Sequence, residues 1–185
     1  MIHSTPGRRV PCLAFALTLL VVLSARAADL PGVSIGGDLP RTGVLTLAEL
    51  EKLGPETATW TNHGKAHEVI GVPLGKVLTA FGFTPGPMGK DVPVADKRAG
   101  YRKVLVASAR DGFQAVFSCA EIATAMGATR ALLVWKLDGK PLPADEGPFR
   151  IVVLSDGEAS RSIYGVDRLE VVKVTGSAPT PKTTK

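Results

Sequence analysis

The side chains here whose types and spacing suit chemistry are two histidines, one cysteine and two arginines. His63 and His67 lie in "ATWTNHGKAHEVIGVPLGKVL", Ala58 to Leu78. On a helix their spacing would set both imidazoles on one face, ready for a metal, but the intervening Gly64-Lys65 makes a turn. With no carboxylate or thiolate in reach, the expectation is two exposed hairpin histidines and no metal centre. Cys119 stands at the first position of a helix capped by Ser118. The positive end of that helix can lower a thiol pKa, which would suit a redox sensor. The apolar setting "AVFSCAEIA" favours the other reading, a buried cysteine acting as a small hydrophobe. Arg150 and Arg161 stand beside apolar strand residues, where each could meet an anion at a sheet edge; the plainer reading is an ion-paired arginine.

Other chemistries have no footprint. The sequence holds no G-x-S-x-G elbow, no phosphate-cradling glycine loop and no H-E-x-x-H. Asp111, Asp138, Asp145, Glu146 and Asp156 all sit in turn-like contexts and are expected to be solvated. No cluster of Lys and Arg with interleaved aromatics is present, so nucleic acid is not an expected partner.

The ends are read separately from the fold. Arg8 and Arg9, the apolar run Val10 to Leu23 and the small-residue site Ala25-Arg26-Ala27 have the pattern of a secretory signal peptide over residues 1–27. That apolar run is shorter than the roughly 20 residues a spanning helix needs, so stable membrane insertion after cleavage is not expected. The arginine pair raises twin-arginine export as a second route. Cleavage would turn 22 cationic and 17 acidic side chains into 19 and 17, leaving a net charge of +2. Cys119 would be the sole cysteine, so no intramolecular disulfide could form and the core must hold the fold. Residues 28–176 make one domain, and "SAPTPKTTK", 177–185, reads as a disordered tail.

The elements that must position these residues are short. In "LTLAELEKLG" Thr46 and Glu49 form a capping box, Leu47, Leu50 and Leu53 a stripe, and Gly54 a left-handed exit. "FSCAEIATAMG" repeats the box with Ser118 and Glu121 and is expected to end at Gly127. In "GVPLGKVLTAFGF" Pro73 is placed in the first helical turn. Strands are predicted from "TATWT", "AHEVI", "KVLVASA", "FQAVF", "ALLVWKL", "FRIVVL" and "RLEVVKV". The mixture of strands and helices without βαβ alternation gives an α+β domain dominated by sheet.

The succession "LTLAELEKL", "VIGVPLGKVLTAFGF", "ARDGFQAVFSCAEI", "LLVWKLDGKPLPADEGPFRIVV" and "SRSIYGVDRLEVV", from about Val33 to Val174, resembles the oxidoreductase molybdopterin-binding domain of the sulfite-oxidase-like family. That resemblance implies an α+β fold of several mixed β layers with short helices. It also implies a molybdenum–pterin cofactor, oxygen-atom transfer or related reductions, and a place outside the cytoplasm. In the family a cysteine thiolate ligates the metal about a dozen residues before "G-x-P-L". Here that place is Thr59-Trp60-Thr61, with His63 beyond it, and it has no sulfur donor. Glu146 stands where a histidine often precedes the "G-x-P-x-R" turn, while Arg150 and Arg161 remain for anion contact.

The expectation is therefore a periplasmic or secreted family member with no resident cofactor. It would use the inherited cleft for a small anionic ligand or a periplasmic protein partner. The alternatives are an active molybdenum-cofactor oxidoreductase and a redox sensor working through Cys119.

Overall fold

Runs of β-branched and apolar residues at alternate positions lay down most of this structure, a computed structural model that describes residues 31–84, 101–123, 129–156 and 159–176. In chain order the strands are β1 (Gly32–Gly37), β2 (Gly43–Thr46), β3 (Glu56–Asn62), β4 (Lys65–Pro73), β5 (Lys103–Ala109), β6 (Gln114–Ser118), β7 (Ala131–Leu137), β8 (Lys140–Pro141), β9 (Arg150–Val153) and β10 (Val166–Lys173). Between them lie helices α1 (Leu47–Leu50), α2 (Leu74–Ala80) and α3 (Cys119–Ile122), with 3-10 turns at Glu51–Leu53 and Ala159–Arg161. The residues read as signal peptide and tail, and Gly127, lie outside the described residues.

Two sheets result. The first runs β2-β1-β10-β5-β6, with β1 parallel to β10 and the other pairs antiparallel. The second runs β3-β4-β7, and β7 also pairs with β8 and β9. The main core joins Val33, Ile35, Leu105, Phe117, Leu169 and Val171 of the first sheet to Leu133, Trp135, Ile151 and Val153 of the second. Alternation sends Leu132, Val134 and Val152 to the opposite face, where they meet Trp60 and Val69 in a smaller cluster. Sheet two is thus buried on both faces through β7, which explains the unbroken apolar run "ALLVW". The α+β expectation holds.

Both capping boxes form: Thr46 Oγ1 accepts from the Glu49 N–H at 3.3 Å, and Glu49 Oε2 accepts from the Thr46 N–H at 2.9 Å. Ser118 and Glu121 do the same at α3. Three details differ from the sequence reading. Pro73 is the last residue of β4 and the N-cap of α2, outside its first turn. The α1 segment tightens into a 3-10 turn before Gly54 (φ 72°), and α3 ends at Ile122, with Ala123 extended. Strands β1, β2 and β8 carry glycine or proline and little local β signal, so they exist because a partner strand lies alongside.

Helix α2 rests on α3 through Gly75, where a methyl group would lie 2.3 Å from the Ile122 carbonyl oxygen. Gly75→Ala is expected to cost about 1–3 kcal/mol by forcing the two elements apart. Urea unfolding should show a lower midpoint at unchanged m, whereas Val116→Thr on the exposed face of β6 should stay within about 0.5 kcal/mol of the parent.

Candidate functional site

Strand β9 alternates Arg150 and Val152 toward the smaller cluster with Ile151 and Val153 toward the main core. Arg150 is therefore driven into an apolar layer, and it is 2% exposed. Its guanidinium carbon lies 4.3 Å from the Trp60 ring centroid and 4.1 Å from that of Tyr164. Such cation–π contacts contribute roughly 0.5–2 kcal/mol each where water is excluded. Nη1 donates to Glu146 Oε2 at 2.8 Å. Among the described residues Nε and Nη2 meet no acceptor, a shortfall of about 1–3 kcal/mol per donor.

Trp60 has a second ring neighbour. Its ring lies 6.0 Å from that of His67, whose Nδ1 is 2.8 Å from Asp138 Oδ2. Asp138 Oδ1 accepts the Glu68 N–H at 2.9 Å. The bond to His67, and after it the one from Glu68, holds the Asp138 carboxyl below the usual carboxylate range. Asp138 (φ 49°) and Gly139 (φ 73°) form the two-residue turn between β7 and β8, which is how this carboxylate is brought to β4. A continuous line of contacts follows: Asp138, His67, Trp60, Arg150, Tyr164.

This corrects the reading of the histidines. His63 is exposed at the tip of the β3–β4 hairpin with φ 46°, as a turn residue. His67 is half-buried and does have a carboxylate in reach, from a residue 71 positions away. Asp138 was expected to be merely solvated, and the Asp-Gly turn signal after an apolar strand was the available hint. No group of three His, Cys, Asp or Glu side chains suited to a metal occurs among the described residues.

The remaining predicted residues divide. Thr59 and Thr61 are exposed and alternate away from buried Trp60 along β3, so the trio does not act as one wall. Thr61 and His63 do line a cleft with Asn62, Gly64, Ala159, Ser160 and Tyr164. Tyr164, itself 45% exposed, borders this cleft and two adjoining hollows. Sequence reading missed it, having no signal for a tyrosine that stacks on a buried arginine.

Arg161 is placed on a 3-10 turn beside the edge strands β6 and β9, and its donors are taken. Nε and Nη2 reach Asp156 at 2.9 and 2.7 Å, Nη1 reaches Glu121 at 3.3 Å, and Phe117 lies beneath. The bond to Asp156 is the main cause raising the Arg161 pKa above its ordinary value. This residue ties the turn to α3 in the ion-paired manner. Glu146 and Asp156, expected to be solvated, are the partners of the two arginines.

Cys119 belongs to the main core, on the other side of the second sheet from Trp60 and Arg150. Burial pushes its thiol up to about 12, with Lys103 partly opposing. Desolvation outweighs the four-residue helix, so the thiol has the buried setting that the apolar sequence around it favours, and the lowering required for a redox sensor is reversed. What the arrangement offers chemically is a buried guanidinium with two donors that meet no acceptor among the described residues.

Residues 32–178 match the family described as oxidoreductase molybdopterin binding domain. No curated protein sequence matches. Among solved structures the chain is similar to the sulfane dehydrogenase SoxCD from Paracoccus pantotrophus, with a TM-score of 0.57 and 18% identity over 76% of this chain. It spans 38% of that protein's length, and at this identity the likeness concerns the fold. No helix among the described residues is long and apolar enough to cross a membrane.

An unfolded cysteine ionises near about 8.5, whereas the native thiol keeps its proton to about 12. Between these values the unfolded state binds fewer protons, so the thiol's contribution to stability falls as pH rises. Comparing urea midpoints of the parent and Cys119→Ala across this range should show the steeper loss in the parent. The native thiol should also resist an aromatic disulfide reagent at neutral pH and react fully in urea.

Proposed function

The chain belongs to the oxidoreductase molybdopterin binding domain family, and we propose that it is an exported member without thiolate-ligated molybdenum, using the inherited cleft to bind a small anionic ligand or a protein partner. The observation that carries this reading is Trp60. At the place where the resemblance puts a metal-ligating cysteine, an indole fills the interior and stacks on Arg150, while Thr59 and Thr61 face away. Neither a hydroxyl nor an indole replaces a soft thiolate on molybdenum. Cys119 offers no substitute, being a protonated thiol in the other core.

The phosphate of a pterin would fare little better. Arg161 is occupied by Asp156 and Glu121, and Arg150 carries Glu146 at its side. The residues present therefore do not fit a thiolate-ligated, phosphate-bearing cofactor. Export rests on the "RR", apolar run and "ARA" pattern at the start, and a periplasmic or secreted location follows from it.

One observation favours the second reading, an active molybdenum-cofactor oxidoreductase: Arg150 keeps two donors unused in a family whose name is for that cofactor. Elemental analysis of protein purified from its native compartment separates the two. Molybdenum is expected at background level, and a stoichiometric amount would overturn the proposal. A redox role for Cys119 would require altered behaviour in Cys119→Ser under oxidant, where none is expected.

A further inference from the structure

Arginine's planar guanidinium presents Nε–H and Nη2–H along one edge, pointing the same way, in a fork that matches the two oxygens of a carboxylate. In Arg150 the Glu146 carboxylate takes Nη1, on the other side of the group, and leaves that fork free of partners among the described residues. A charged side chain that is 2% exposed does not ordinarily leave its best bidentate edge unpaired. Building on the ligand-binding reading above, we infer that the cleft takes a monocarboxylate, its two oxygens seated on Nε and Nη2 of Arg150 under the ring of Tyr164.

Shape and charge select the class. Trp60 and Tyr164, with ring centroids 4.3 and 4.1 Å from the guanidinium carbon, bound a slot at the unpaired edge, which is closed to solvent while Tyr164 lies over the group. A flat carboxylate enters such a slot in the guanidinium plane, whereas a tetrahedral oxyanion carries oxygens out of that plane toward the rings. Glu146 already supplies one negative charge to this arginine, so a single further negative charge is tolerated and a doubly charged phosphate is repelled. Asp156 and Glu121 cancel Arg161, and Arg110 is committed to the carbonyls of Ala144 and Gly147, so neither of these arginines among the described residues changes that balance.

Entry runs past Tyr164. Its ring covers the guanidinium, yet it is 45% exposed and borders three hollows into which it can turn. The cleft lined by Thr61, Asn62 and Ser160 then receives the body of the ligand, with Asn62 Oδ1, another buried atom lacking a partner among the described residues, as an acceptor.

The test titrates the mature protein with monocarboxylates from acetate to benzoate, following the Arg150 Nε–H signal by proton–nitrogen correlation NMR at fixed ionic strength. Phosphate and benzylamine serve as controls. At least one carboxylate should give a saturable shift of this signal, with phosphate at least about tenfold weaker and benzylamine silent. Arg150→Lys keeps the charge but loses the fork, and should weaken the carboxylate by at least about tenfold, read from the Trp60 emission. Should that variant not fold, Tyr164→Ala leaves both donors in place and decides instead. There the Nε–H should exchange faster with solvent while the carboxylate still binds. No saturable shift with any carboxylate, equal binding of phosphate, unchanged affinity in Arg150→Lys, or an Nε–H in Tyr164→Ala as protected as in the parent would each overturn the inference. Molybdenum at background with no carboxylate response removes this inference alone; stoichiometric molybdenum removes the reading beneath it.

Discussion

A positive charge enclosed by hydrocarbon organises one side of this protein. The guanidinium of Arg150 is almost wholly buried, so its surroundings must compensate for the water it has lost. Trp60 and Tyr164 supply electron-rich faces, and Glu146 supplies the counter-charge. Each of these is in turn held by something else. His67 backs Trp60, Asp138 holds His67, and the Glu146 carbonyl accepts the Gly165 N–H at 2.7 Å, beside Tyr164 in the chain. A single strand position thereby couples β3, β4, the β7–β8 turn and the segment before β10.

The two faces of the second sheet divide the labour. One face packs against the first sheet in a core of aliphatic side chains with Phe83, Phe117, Trp135 and Phe149, and there Cys119 is buried as a free thiol. The other face is smaller, and its apolar residues surround the one buried arginine among the described residues. Scaffold and site are thus separated by the thickness of a sheet, so residues on the cleft side can change while the main core goes on holding the fold. A change at a cleft-side position such as Trp60 is compatible with an intact domain on those terms.

Much of this was legible in the sequence where the causes are local. Capping boxes at Thr46 and Ser118, Asp-Gly turns and the Val- and Leu-rich strands are decided by residues a few positions apart. Arg150 stood out because a charge inside "FRIVV" breaks an apolar run. Glu146 is a local partner of that charge, but its aromatic partners were illegible, because Trp60 comes from a strand early in the chain and Tyr164 from a turn beyond β9. His67 and Asp138 were hidden for the same reason. Strands β1 and β2 were missed because glycine-rich segments become strands only when a neighbour completes their hydrogen bonds.

The place of β10 in the first sheet has a bearing on how the chain is made. This last strand lies between β1 and β5, so the sheet is divided until the end of the domain is available. A nascent chain that has not yet released β10 offers two unsatisfied edges, open to chaperones and to misassembly alike. Such a topology postpones completion of the first sheet until β10 has emerged and can slot between its two neighbours.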